Sequence, residues 1–176
     1  KEYIGWNDPR LWSFQSLEDR GILSEAIRGF IIGQGLRRSN TTVPIDILYS
    51  LNKKLIENSK RYLFVKNPQN IKINGCPQLT TKIKHHPALD LGEREYTTNQ
   101  EFLIDENDYD QITAQNYRLM HLLNFKAIQI NTLRPTEFSF ISTDPSPDLK
   151  SKLIHWLPRD TNNIDVTIMM PDGKTI

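Results

Sequence analysis

The sequence is poor in features that several classes of protein depend on. Its single cysteine, Cys76, excludes an internal disulfide and any zinc site built from several cysteines. No apolar run approaches the roughly 18 residues that a membrane-spanning helix needs, and no basic-then-apolar signal segment opens the chain. Gly33-x-Gly35 lacks the third glycine and the later acidic residue of a dinucleotide-binding fingerprint. We therefore expect a cytoplasmic protein with no membrane partner.

The charges of the chain are unevenly distributed. With 38% apolar and 24% charged residues, the composition of the 176 residues is that of an ordinary soluble domain, and the formal net charge is only +1. Residues 1–90, however, carry 14 Lys/Arg against 8 Asp/Glu, whereas residues 91–176 carry 8 against 13. A polyanion should prefer the first half, which indicates nucleic-acid binding, although solvated helix faces would give the same asymmetry.

The first sixty residues have the pattern of a small helical module. Asp8 precedes a proline and is therefore held extended, so it can mark the start of a first helix. Gly21 is placed to end that helix, and Ser24 to cap a second one over 25–32. Apolar residues at three- and four-residue spacing then predict a third helix over about 45–58.

From Arg61 onward the apolar pattern alternates. Short runs bounded by Asn, Pro, Gly or Asp predict strands near 62–65, 71–73, 93–96, 102–104, 127–130, 137–140, 152–156 and 166–169. The acidic segment 105–112 is expected to form one helical turn, and Asp144-Pro145-Ser146-Pro147 a loop. Several strands without long helices between them favour antiparallel barrels, so the predicted fold class is α+β.

Several short motifs, in order, resemble one family. They are Gly5-Trp6-Asn7-Asp8-Pro9-Arg10, Arg20-Gly21-Ile22, Ala26-Ile27-Arg28-Gly29-Phe30-Ile31, Leu51-Asn52-Lys53-Lys54, His86-Pro87, Leu91-Gly92-Glu93-Arg94-Glu95, Tyr117-Arg118-Leu119-Met120 and Ile154-His155-Trp156-Leu157-Pro158. Together they are similar to the C-terminal part of glutamyl-tRNA synthetases of the archaeal and eukaryotic type, which are class I aminoacyl-tRNA synthetases. Asn7 stands where that family usually has Asp.

The resemblance implies an organisation and a function. A helical linker and tRNA-stem module would occupy 1–60, and an antiparallel β-barrel anticodon-binding structure, truncated at its C-terminus, would occupy 61–176. The parent would be a ligase that joins glutamate to tRNA, with ATP and magnesium bound by a catalytic domain of the same chain. The partner would be the tRNA for glutamate, and this part alone would bind no cofactor and catalyse nothing.

Two alternatives stay open at this point. Glutaminyl-tRNA synthetases share part of the pattern, but they more often have M-G-S-R where this chain has Leu91-Gly92-Glu93-Arg94, which favours glutamate. A free-standing RNA-binding or assembly module would need no ligase parent. Leu149-Lys150-Ser151-Lys152 superficially resembles the ATP-binding lysine-serine-lysine loop of such ligases, yet it lies among predicted strands and is not expected to touch ATP.

Candidate RNA-binding residues follow from charge, aromatic character and the resemblance. Arg61 and Tyr62 combine a guanidinium with an aromatic ring, and Arg118 matches a barrel arginine on the anticodon side of the family. Backbone contacts to the tRNA are expected from four residues of the helical module: Arg37, Arg38, Lys53 and Lys54. Each of the seven could instead serve as an ordinary surface charge. Packing roles are expected for Trp6, Arg10, His155 and Trp156.

Other chemistry is less favoured by the sequence. His85 and His86 are neighbours that would point apart on a strand, so a shared metal is not expected. Cys76 stands between Gly75 and Pro77 with no evident activating base, which predicts a structural or merely exposed thiol rather than a nucleophile. The acidic residues at 105–110 lack the ligand spacing of a calcium loop.

Overall fold

The chain folds into two compact units. The computed structural model describes residues 2–36, 42–131, 134–161 and 163–176. One unit comprises Lys1–Ser59 together with Val166–Ile176, and the other comprises Lys60–Asp165. The boundary between Ser59 and Lys60 lies where the sequence pattern changes, and the last eleven residues group with the helical segment.

The first unit contains three helices: α1 at Phe14–Asp19, α2 at Ser24–Gln34 and α3 at Asp46–Ile56. Ser13 caps α1, because its Oγ accepts a hydrogen bond from the Ser16 N–H at 3.1 Å. Gly21 has a φ of +76°, the left-handed conformation that a residue just past a helix end favours. The prediction that Ser24 caps α2 is wrong: Ser24 is the first helical residue, and the capping position is Leu23.

A side chain from α3 fixes the start of α2. Asn52 is only 5% exposed; its Oδ1 accepts from the Leu23 N–H at 2.9 Å, and its Nδ2 donates to the Gly21 carbonyl at 2.9 Å. Both backbone groups flank the tight turn between α1 and α2, so the amide ties that turn to α3. The small core beside it consists of Leu17, Ile22, Ala26 and Leu48.

Asp8 organises the loop ahead of α1 rather than capping the helix. Its carboxylate accepts from the Ile4 N–H at 3.1 Å and the Arg10 N–H at 2.9 Å, and from the Arg10 guanidinium at 2.8 and 2.5 Å. The pKa of Asp8 therefore lies well below its usual range, chiefly because of the Arg10 side-chain hydrogen bonds. Arg10 is thus structural, as expected, whereas Trp6 is 75% exposed and does not pack within this loop.

The second unit is built on β-strands. Its elements are β1 at Gln69–Asn74, β2 at Leu79–Lys84, β3 at Glu93–Thr98, β4 at Glu101–Ile104, α4 at Glu106–Asp110, β5 at Asn116–Leu119, β6 at Asn124–Asn131, β7 at Arg134–Ser142, β8 at Lys152–Ile154 and β9 at Trp156–Pro158. A short 3₁₀ helix occupies Pro147–Leu149 in the proline-rich loop. The helical turn within 105–112 is confirmed as α4.

Seven strands form one sheet in the order β8-β5-β6-β7-β1-β4-β9, while β2 and β3 form a separate antiparallel ribbon. The unit is α+β, but the sheet is not purely antiparallel, because β1 pairs parallel with β7 and β5 pairs parallel with β8. In the part of the chain that the structure describes, no pairing joins β8 to β9. The expected closed antiparallel barrel is therefore not found; the sheet is mixed.

The sheet encloses the larger core of the protein. Trp156, Tyr117, Phe102 and Phe125 are its largest fully buried side chains, and the Trp156 and Phe102 rings meet edge to face at 5.6 Å. Trp156 therefore packs as expected. Pairs of buried aromatic rings in this geometry add about 0.5–1.5 kcal/mol each beyond the burial of their area.

Three strand predictions differ from the structure. Residues 62–65 form no strand in the described part of the chain, and 166–169 contribute only the isolated bridge between Met169 and Thr175. The strand predicted over 152–156 is divided at His155 into β8 and β9. The segment Leu79–Lys84, which sequence analysis left unassigned, is β2. In β2 half-buried residues alternate with exposed ones, and Leu79 and Ile83 pack against the larger core. Only these two of its six residues are apolar, however, so the alternation is a weak signal in the sequence.

Candidate nucleic-acid interface

A cavity of about 680 Å³ opens on the β-rich unit. Its lining combines basic, aromatic and apolar side chains. They come from the segment 61–63, the ribbon, the turn after β5 and the residue between β8 and β9. The lining residues are Arg61, Tyr62, Leu63, Lys82, Ile83, Lys84, His85, Pro87, Arg94, Tyr96, Met120, His121 and His155.

The charge of this lining is of one sign. Four of the lining residues are Lys or Arg, three are His, and none of the residues named above is Asp or Glu. Such an arrangement attracts an anion, because no carboxylate of the lining offsets the cations. Two tyrosines supply aromatic faces beside them.

Tyr62 lies between two other residues of the lining. The Arg94 guanidinium carbon stands 4.4 Å from the centre of the Tyr62 ring, and the His85 ring centre lies 5.1 Å from the Tyr62 ring centre at a tilt of 56°. The backbone fixes this arrangement, since the Arg61 N–H donates to the His85 carbonyl at 2.7 Å. Tyr62 remains 53% exposed, so part of the group faces solvent.

The ribbon places Arg94 on the cavity side. In its register Ile83 is opposite Arg94 and Thr81 is opposite Tyr96, which puts these four side chains on one face of the ribbon. Just before β3, Gly92 has a φ of +87°, and its carbonyl accepts from the His85 N–H at 2.9 Å. A residue with a Cβ would be strained there, so this glycine sets the close return of the chain.

The other face of the ribbon carries paired charges. Lys82 Nζ lies 3.3 Å from a Glu93 carboxylate oxygen and 3.6 Å from a Glu95 oxygen. Both carboxylates raise the pKa of Lys82, Glu93 most strongly. These pairs are exposed to solvent, so they add little to the stability of the fold. Their effect is to offset the charge of Lys82; the other Lys and Arg residues of the lining are Arg61, Lys84 and Arg94.

The opposite wall of the cavity is held by backbone contacts. The Trp156 indole N–H donates to the Met120 carbonyl at 2.8 Å, and the Thr81 hydroxyl donates to the His121 carbonyl at 3.1 Å. His121 has a φ of +61°, and this left-handed conformation turns the chain between β5 and β6. The wall is therefore rigidly placed, with the exposed imidazoles of His121 and His155 at its rim.

The segment that carries most of this cavity matches a known family. Residues 59–140 match the family described as tRNA synthetases class I (E and Q), anti-codon binding domain. This segment is an anticodon-binding domain of that family. Twelve of the thirteen lining residues lie within it, and only His155 lies beyond.

Whole-chain comparisons agree with the family match. The chain is 32% identical over 180 residues to the glutamate–tRNA ligase of Pyrococcus abyssi, covering 99% of this chain and 31% of the relative. It is 34% identical over 171 residues to that of Nitrosopumilus maritimus, with 96% and 29% covered. It is 32% identical over 179 residues to the glutamate–tRNA ligase of Methanococcoides burtonii, covering 99% of this chain and 31% of that relative. The chain thus spans about 30% of the length of these curated relatives.

The anticodon-binding domain brings together only some of the residues proposed from sequence. Arg61 and Tyr62 line the cavity, but Arg118 does not. The Arg118 guanidinium donates to the Thr143 carbonyl at 3.1 Å and to the Asp144 carbonyl at 3.2 Å. Two of its donors therefore hold the turn after β7.

The remaining proposed residues belong to the helical segment. Lys53 and Lys54 occupy the last turn of α3 and are exposed. Arg37 and Arg38 lie outside the described residues. The assignment of all four to RNA binding stays a prediction.

Arg94, His121 and His155 line the cavity, although none of them was expected there from the sequence. In the sequence Arg94 stood out only as part of a motif, and His155 was expected to pack, whereas it is exposed at the cavity rim. The alternation of a basic residue, Arg94, with an aromatic residue, Tyr96, was a weak sequence signal for an RNA-binding surface. Only the ribbon, however, brings Arg94 beside Tyr62, thirty-two positions earlier in the sequence.

The structure also places the other reactive side chains. Cys76 is 3% exposed, and burial raises the pKa of its thiol to about 11, which suits the expected structural role. His86 Nδ1 accepts from the Ala88 and Leu89 N–H groups at 3.1 and 2.9 Å. Over the described residues there is no group of three or more His, Cys, Asp or Glu side chains placed to hold a metal. Those residues also include no helix long and apolar enough to cross a membrane.

Proposed function

We propose that this chain is the tRNA-recognition part of a glutamate–tRNA ligase and that its cavity binds the anticodon arm. The observation that carries the proposal is the cavity itself, where Arg61, Arg94 and Tyr62 stand together with no carboxylate in the lining. It lies almost wholly within the segment that matches an anticodon-binding domain. The relatives that cover nearly all of this chain are glutamate–tRNA ligases.

The residues of the cavity suit single-stranded RNA. Guanidinium groups neutralise phosphates, and exposed aromatic and guanidinium planes stack against bases that are not paired. An anticodon loop presents both kinds of group. Arg61 would provide a phosphate or base-edge contact, while the Tyr62 group would provide the stacking surface.

The helical segment would contribute affinity without sequence choice. Lys53 and Lys54 are exposed on α3, and Arg37 and Arg38 follow α2 in the sequence. Contacts from such side chains to the phosphate backbone position a nucleic acid but carry no base information. Substituting them should therefore weaken binding to all tRNAs alike.

The ligase activity itself would need a catalytic domain elsewhere in the full-length protein. ATP and magnesium would be bound there, because the candidate stretch in this chain does not fit them: Lys152 lies on β8 and pairs with Asp108 at 3.4 Å. We further propose that the full-length protein acts on the tRNA for glutamate in the cytoplasm.

A binding experiment tests the proposal. The 176-residue chain is titrated with tRNA for glutamate, tRNA for glutamine and an unrelated tRNA across a series of salt concentrations. Preference for the glutamate tRNA that survives high salt supports base readout by this chain, since phosphate contacts alone are screened. A preference for the glutamine tRNA would transfer the proposal to the glutaminyl enzymes.

Variants locate the binding site. Arg61→Ala and Tyr62→Ala should each weaken binding of the glutamate tRNA by several-fold. Arg159→Ala is the matched control, because Arg159 is exposed on the same unit, pairs with Glu101 and lies outside the cavity lining. If both cavity variants bind as the unmodified chain does, the assignment of the cavity is overturned.

A further inference from the structure

Arg94 differs from two other arginines of the β-rich unit in what its guanidinium contacts. Arg159 pairs with Glu101, and Arg118 donates to two backbone carbonyls. Arg94 instead lies over the Tyr62 ring at 4.4 Å, a contact of the kind that Arg10 and Arg20 make with Tyr3 and Trp12 in the helical unit, outside the cavity. In the part of the chain that the structure describes, no carboxylate pairs with it.

The contact with Tyr62 leaves the outer side of the guanidinium open. Arg94 is exposed and lines the cavity, and its ring partner Tyr62 also contacts the His85 ring. A guanidinium is planar and weakly hydrated, so it can stack on aromatic rings in a way that a lysine ammonium cannot. The arrangement therefore places a flat cationic surface at the open side of the cavity.

We propose that Arg94 is a stacking platform for one unpaired base of the bound RNA, which would form a layered column with Arg94 and Tyr62. The inference rests on the proposed function and deepens it, since it assigns Arg94 to a base rather than to a phosphate. Arginine planes are among the surfaces on which splayed RNA bases stack. The cation also favours the electron-rich face of a base, as it does that of Tyr62.

The substitution Arg94→Lys separates the two roles. The lysine keeps the positive charge but lacks the planar guanidinium. A contact with a phosphate would therefore be retained, whereas stacking on a base would be lost. We expect Arg94→Lys to weaken binding of an anticodon stem-loop RNA by about 5- to 150-fold, the range that loss of one stacked base produces. The dependence of the affinity on salt should stay that of the unmodified protein.

RNA substitutions identify the base. In a set of stem-loops, one loop nucleotide at a time is made abasic, which removes a base and keeps every phosphate. At one position the abasic RNA should bind the unmodified protein about 5- to 150-fold more weakly than the intact RNA does. The Arg94→Lys variant should bind that abasic RNA and the intact RNA equally well. That non-additivity is the signature of direct contact between the base and the arginine.

Controls keep the outcomes apart. Arg159→Lys makes the same chemical change outside the cavity and should leave binding unchanged, and thermal unfolding should show that Arg94→Lys is as stable as the unmodified chain. If the unmodified chain binds no RNA, the proposed function itself fails. If it binds RNA and Arg94→Lys binds equally well, or if no abasic position is coupled to Arg94, the stacking role is overturned while the function stands.

Discussion

Ile154 and Trp156 lie two positions apart in the sequence, yet they belong to β8 and β9, the two strands at opposite edges of the seven-stranded sheet. Ile154 is in register with Leu119 of β5, and Trp156 is in register with Ile104 of β4. A single residue, His155, spans the gap between the two edges. The sheet must therefore curl until its edges nearly meet, and the exposed His155 side chain stands at the cavity rim where they do.

Trp156 should contribute strongly to the stability of this curled sheet. It is fully buried, and its indole N–H donates to the Met120 carbonyl that forms one wall of the cavity. Replacing it by Phe should cost about 1–3 kcal/mol through the lost volume and the unpaired carbonyl, and replacing it by Ala about 3–5 kcal/mol. Urea unfolding measures both values; a Phe variant as stable as the parent would show that the indole hydrogen bond contributes nothing.

Asn52 should be the most sensitive polar position in the helical segment. The change Asn52→Ala removes two hydrogen bonds to the turn between α1 and α2 and should lower the free energy of unfolding by about 2 kcal/mol. Asn52→Asp keeps the acceptor for the Leu23 N–H, but it sets a carboxylate oxygen against the Gly21 carbonyl at a buried site and should cost at least as much at neutral pH. The neighbouring exposed Lys53 provides the control, because Lys53→Ala should leave stability unchanged. If Asn52→Ala and Lys53→Ala lowered the free energy of unfolding equally, the Asn52 hydrogen bonds to the turn between α1 and α2 would not be what stabilises it.

Asp8 should make the helical segment sensitive to acid. Its pKa is lowered in the folded state, so the ionised carboxylate stabilises the fold fully above about pH 4, the range of a free Asp side chain. That contribution should shrink as the pH falls from there toward the lowered native pKa. Comparing Asp8→Asn with the parent by chemical unfolding from pH 7 to pH 2 tests this; their difference should be largest near neutrality and narrow in acid.

Cys76 should be unreactive while the protein is folded. Burial raises the pKa of its thiol to about 11, so little thiolate exists at pH 8. A thiol-specific reagent should label it slowly in buffer and rapidly in denaturant. The same shift predicts that stability falls as the pH rises from about 9 toward 11, because the unfolded thiol ionises first. Rapid labelling of the native chain at pH 8 would contradict the burial.

Replacing Arg118 should loosen the turn after β7 even when no RNA is bound. Both Arg118 and Asn124 donate to the Asp144 carbonyl, at 3.2 and 2.7 Å. Arg118→Ala should therefore raise hydrogen exchange of the backbone amides near 143–150 even without RNA. If it leaves that exchange unchanged and still weakens tRNA binding several-fold, a direct contact with RNA is favoured instead.

The helices could be predicted because their signals are local. The glycine at 21 needs a positive φ whatever surrounds it, and the apolar spacing after Pro44 places α3 within two residues of its observed bounds. The start of α2 was misjudged because Asn52, almost thirty positions away, takes over the role of a local cap. β2 was missed because only Leu79 and Ile83 of its six residues are apolar, so its alternation is weak, and the strand depends on pairing with β3 and on packing against the larger core.

The sequence by itself determined the helical segment, the change to strands near Arg61 and, through its motifs, the family of the segment 59–140. These depend on residues close together in the chain, whose conformational preferences act without distant partners. Only the tertiary structure decided the parallel pairings of the sheet and the position of Arg94 over Tyr62. Both are contacts between distant segments, and the packing of the whole unit, not any local preference, selects them.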